Sequence, residues 1–95
     1  MITVDEKTEI LRELSDRDVM AGLSNDTIIR NHLLVYGSIS SLEAIRLYGI
    51  TRLAAVIERL RHKVEPLMNI TTEIVKGENR FGKKTHYAVY RLVET

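Results

Sequence analysis

The chain has no cysteine and no tryptophan, one proline and five glycines. Without cysteine there are no disulfides, thiolate metal sites or cysteine nucleophiles, which suits a reducing cytoplasm. So little proline and glycine argues against long linkers or disorder. No apolar run approaches the ~20 residues of a membrane-spanning helix. The first residues are acidic, unlike a secretory signal.

Catalytic signatures are equally scarce. His32, His62 and His86 fall on different elements with no ligand spacing. His32 reads as a packed or surface residue of a helix. No serine sits in a nucleophile elbow. "KGENRFGKKT" ends in Gly-Lys-Lys-Thr but lacks the spacing and the strand-to-helix context of a phosphate loop. An enzyme is not expected, and no cofactor or metal is implied.

What is present is a 95-residue chain of ordinary hydrophobic content, enough for one domain with a real core and little stability to spare. Its net charge of +1 is unevenly spread. Residues 1–23 hold six acids against three bases, a net of −3, whereas residues 44–92 hold ten bases against four acids, a net of +6. The asymmetry points to an anionic partner for the C-terminal part.

Periodicity orders the elements. Thr3 and Glu6 have capping-box spacing ahead of a short acidic helix with the stripe Val4, Ile10, Leu11 and Leu14. A helical turn ended by Gly22 follows. Ser24 then caps a helix whose buried side is Ile28, Ile29, Leu33, Leu34 and Tyr36 and whose end is Gly37. "SIS" is long enough for a minimal strand. Ser40 and Glu43 repeat the capping-box spacing, with Leu42, Ile45 and Leu47 facing the core and small Ala44 allowing close approach. After Gly49, Thr51 caps a third helix, 51–63, with Ile50, Leu53, Ala54, Ile57 and Leu60 inside. The period then becomes two: "NITTEIV" and "THYAVYRL" read as strands joined by the basic loop 76–84.

Two helices joined by a short glycine turn make a helix-turn-helix. In that unit the second helix enters a DNA major groove. Off its apolar stripe lie Thr51, Arg52, Ala55, Val56, Arg59 and Lys63, small or polar groups for base edges with cations for phosphates. Glu58 is the exception, able to pair with Arg61 or His62 or to accept from a cytosine amine. Ser40 and Ser41 can hold a phosphate at the start of the preceding helix. The following hairpin is a wing, whose Lys76, Arg80, Lys83 and Lys84 reach a minor groove or backbone.

From Gly37 to Leu92 the chain resembles the small winged helix-turn-helix domains of bacteriophage and prophage proteins. The matches are Gly37, Ser40, Glu43, Ala44, Tyr48, Gly49, Arg52, Leu53, Ala54, Ile57, Leu60, Arg61, Tyr87, Tyr90, Arg91 and Leu92, mostly core and turn positions. Many relatives carry a base where Val56 stands, and "HKVEPLMN" is longer than their usual link. The resemblance implies an α+β fold, a three-helix core plus a β-hairpin wing, and a double-stranded-DNA-binding transcriptional regulator. The expected division is an acidic helical segment over 1–23, for docking or dimer contact, and the winged domain over 24–95. The stripe Val4, Ile10, Leu11 and Leu14 serves either a homodimer or the domain's own core. The rival reading is a protein-interaction module that binds a host protein.

Overall fold

The computed structural model describes residues 3–16, 21–78 and 80–93. In chain order these form α1 (Val4–Ser15), α2 (Asn25–Tyr36), β1 (Ser38–Ser40), α3 (Ser41–Tyr48), α4 (Leu53–His62), β2 (Ile70–Glu78) and β3 (Lys84–Leu92). The architecture is α+β: a helix-turn-helix and its supporting helix packed on a three-stranded antiparallel sheet of order β1–β3–β2. The helical turn expected before Gly22 falls mostly on residues outside those described.

Local chemistry sets the helix ends. Thr3 caps α1, its hydroxyl accepting from the Glu6 amide at 3.1 Å, and Ser24 caps α2 by accepting from Thr27 at 3.2 Å. At α3 the capping box is complete: the Glu43 amide donates to Ser40 Oγ and the Ser40 amide donates to Glu43 Oε1, both at 3.1 Å. Such caps satisfy amides that a helix start otherwise leaves unpaired. Gly37 and Gly49 end α2 and α3 at φ of +82° and +67°, a left-handed geometry that costs glycine little. Beyond Gly49 the Ile50 amide donates to Ala44 O at 3.1 Å, folding the turn back onto α3.

The core lies between the helices and one face of the sheet. Ile28, Ile29, Leu33, Ile39, Ala44, Ile50, Leu53, Val56, Ile57, Leu60, Ile70 and Tyr90 are buried in one cluster. The alternation expected of the strands is present. Tyr90 pairs with Ile39 on one side and Thr72 on the other, and Leu92 pairs with Ile70, so Tyr90, Leu92 and Ala88 face the helices. α1 rests on α2 without burying any residue completely.

Three hydrophobic assignments change. Leu42, Ile45 and Leu47 are exposed, and α3 meets the core through Ala44 and half-buried Tyr48. On an eight-residue helix two stripes fit the same period, and the one with the small alanine allows close packing. Tyr36 is exposed and Leu34 only half-buried, because α2 turns Ile28, Ile29, His32 and Leu33 inward. Within α4, Ala54 is exposed and Val56 takes its place inside.

His32 is buried, 2% exposed. Its Nδ1 shares a hydrogen bond of 2.6 Å with Tyr48 Oη, and its ring lies 4.6 Å from that of Tyr36. Burial lowers its pKa below 6.5, against opposing effects of Glu43 and the Ser38 backbone. The folded state therefore resists a proton that the unfolded chain accepts. Its contribution to stability is full above about pH 6.5 and is lost as pH falls from there toward the folded pKa. Thermal melts followed by circular dichroism should show Tm falling between about pH 7 and pH 5.5. His32→Gln should start lower and flatten that dependence.

A candidate nucleic-acid interface

The turn between α3 and α4 spans residues 49–52, so α4 begins at Leu53 and not at Thr51. Arg52 occupies the N-cap and makes no side-chain cap hydrogen bond. The expected cap by Thr51 is thus not formed, and the Thr51 side chain is left exposed in the turn. Leu53, Val56, Ile57 and Leu60 anchor one side of α4 in the core. The opposite side presents Ala54, Ala55, Glu58 and His62 to solvent.

Two expected interface residues are committed elsewhere. Val56 is 2% exposed and packs inside; at 100° per residue it shares a side with Leu53 and Leu60 rather than with Ala55. Arg59 lies at the edge of the outward surface, tied to Asp26 of α2. Its Nε donates to Asp26 Oδ1 and Oδ2 at 3.0 and 3.1 Å, and its Nη2 donates to Oδ1 at 2.7 Å. That pair raises the pKa of the guanidinium and locks α4 to the start of α2. Arg59 is a neutralised, fixed cation, not a freely reaching one.

A similar accounting applies to the other bases. The Arg61 Nε donates to Ile70 O at 2.8 Å and its Nη2 to Thr72 Oγ1 at 2.7 Å, which pins the root of the hairpin beside the last turn of α4. Arg91 pairs with Glu73 across the sheet at 3.2 Å. Glu58 approaches His62 at 3.4 Å and Arg61 at 3.9 Å. Among the described residues, Arg46, Arg52, Lys63, Lys76, Arg80 and Lys84 within 24–95, and Lys7 and Arg12 on α1, are exposed and make no side-chain hydrogen bond or ion pair. These are the cations free to meet an external anion.

The structure brings Thr51, Arg52, Ala55, Val56 and Arg59 around one shallow depression, joined by Asn25 from the start of α2. Lys63 stands at the far end of α4 as its C-cap. Ser41 is half-buried and Ser40 buried, with its hydroxyl already engaged by Glu43. The burial of Ser40, 6% exposed, argues against it as a phosphate ligand.

The hairpin is longer and its tip shorter than the sequence pattern implies. Lys76 and Lys84 belong to the strands: Lys76 pairs with His86, and Glu78 with Lys84. Only residues 79–83 connect the strands, with Arg80 and Lys83 there. Alternation puts Lys76, Lys84 and His86 on the same sheet face as Ile70 and Tyr90, but past the edge of the core. They line a small concave patch with Gly77 and Glu78. Ile74, also on that face, is exposed, so the distal half of the hairpin projects beyond the helices.

Sequence reasoning missed Asn25 as a rim residue and His62 as an outward one. Glu58 and His62 were legible as an i,i+4 pair. Asn25 was not, since only the tertiary fold places α2 beside α4. Among the described residues no cluster of His, Cys, Asp or Glu could hold a metal ion, and no helix is long and apolar enough to cross a membrane.

No match was found among curated proteins or among solved structures. A family model described as a winged helix-turn-helix domain matches residues 24–95. That span holds the helix-turn-helix, the hairpin and the supporting strand described above, and the chain belongs to the winged helix-turn-helix family.

Proposed function

We propose that this chain binds double-stranded DNA, with α4 in a major groove and the hairpin on the adjacent backbone or minor groove. The observation that carries the reading is the outward side of α4. It is held rigidly from behind by four buried residues, lined by small Ala54 and Ala55, and led by the unpaired, exposed Arg52. A helix of this kind can sit deep in a groove and place a guanidinium against a base edge or phosphate. Lys63, Lys76, Arg80 and Lys84 extend the cationic surface, and Lys83 adds a further charge at the tip.

The role we assign is transcriptional regulation in a phage or prophage. The acidic segment 1–23 is a separate docking element. One winged domain touches few base pairs, so useful specificity calls for two copies or a partner. The stripe Val4, Ile10, Leu11 and Leu14 is our proposed dimer contact: Val4 is 79% exposed and none of the four is fully buried.

Exposed Leu42 and Ile45 on α3 favour a second reading, docking on a host protein through that helix. The two readings separate by salt. Five or so phosphate contacts give a log–log slope of affinity against salt of roughly −4 to −5. Fluorescence anisotropy on a mixed pool of labelled duplexes measures it. An apolar protein interface responds far less.

A further inference from the structure

Phe81 is the chain's single phenylalanine, and it is not in the core. It lies in the connection between β2 and β3 and is 84% exposed, the most exposed large hydrophobic side chain among the described residues. Gly82 follows at φ +77° and turns the chain there. Arg80 precedes it, and Lys83 and Lys84 follow.

A phenyl ring in water gains by leaving it wherever a fitting surface is offered. The neighbouring charges indicate what that surface is. Three bases beside the ring favour a polyanion over an apolar or cationic protein surface. DNA offers both features at one spacing: phosphates along the groove walls, and base edges and stacks between them. Proteins that bend DNA from the minor groove use apolar side chains in this way, wedged at a base step. The tip reaches far enough to do so because the distal half of the hairpin stands clear of the core.

We infer that Phe81 is an apolar wedge that enters the minor groove at a base step while Arg80, Lys83 and Lys84 hold the flanking phosphates. The inference rests on the DNA-binding reading and adds a residue and a mode of contact to it. It also implies that the bound duplex is bent and that steps easy to unstack are preferred.

The test uses the full chain and a duplex selected from a random pool. Phe81→Ala should leave the melting temperature unchanged, since the ring supports no core. It should weaken binding about tenfold at every salt concentration with the salt slope unaltered, because an apolar contact releases no counterions. End-to-end energy transfer across the duplex should show less bending. Phe81→Trp places the only tryptophan in the chain at the tip. It should keep wild-type affinity, and its emission should be quenched when the duplex is added, as base stacking demands. Wild-type affinity for Phe81→Ala, a flattened salt slope, or tryptophan emission indifferent to DNA would each overturn the wedge. Failure of the wild-type chain to bind any duplex would instead overturn the DNA reading beneath it.

Discussion

Arg52→Ala should lower affinity for a duplex selected from a random pool by about 1–3 kcal/mol, roughly fivefold to more than a hundredfold. The size follows from where Arg52 stands. It is the last residue before the first turn of α4, exposed, and without an intramolecular partner among the described residues. Its donors are therefore available to DNA in full, and none must first be detached from a carboxylate as those of Arg59 must. The same isolation keeps the cost to folding small, within about 0.5 kcal/mol for an exposed side chain. Equal melting temperatures with unequal affinities would thus assign the loss to the interface. Arg52→Lys separates the two modes of contact. A guanine read bidentately needs the planar fork, so lysine fails there, whereas a phosphate accepts the ammonium. Intact affinity for that duplex in Arg52→Ala would remove α4 from the role of recognition helix.

Leu60→Ala should cost about 2–5 kcal/mol of folding stability. Leu60 is 0% exposed and lies in the central cluster, and its carbonyl accepts from the Met68 amide at 2.9 Å, where the chain leaves α4 for the hairpin. Truncation leaves a cavity at the junction of α4 and the hairpin. Small domains hold only about 5–15 kcal/mol in total, so the loss is a large share. For a chain of this length it corresponds to a fall in Tm of more than about 10 °C. DNA binding should decline only as far as the folded fraction declines. Ile45→Ala is the contrast: Ile45 is 47% exposed, and its truncation should lower stability by under about 1 kcal/mol. Calorimetric melts of both variants measure the difference. Equal losses would mean that α3 packs through Ile45 after all.

That contrast also shows what the sequence made legible. Caps and glycine ends were readable because they depend on a few adjacent residues, as at Ser40–Glu43 and Gly49. The strands were readable from the change of period after Asn69. The inward side of α3 was not. Hydrophobicity favours Leu42 and Ile45, but contact with the core goes through Ala44 and Tyr48, selected by fit and by the hydrogen bond between Tyr48 and His32. In the same way Val56 and Ala54 exchange sides, because α4 starts at Leu53 and the core centres on Leu53, Val56, Ile57 and Leu60. Of the proposed interface, Arg52, Lys63 and the wing bases are exposed as their sequence context implies. Arg59 is not free, and nothing local announces that, since its partner Asp26 is 33 residues away.

The central claim is that the cations left free by internal pairing form a surface for duplex DNA. Anisotropy of a labelled duplex pool titrated with the full chain at three salt concentrations tests it most directly. Tight binding at low salt that weakens with a log–log slope of roughly −4 to −5 is the expected result. No binding at low salt, or binding indifferent to salt, would contradict it and move the function to a protein partner.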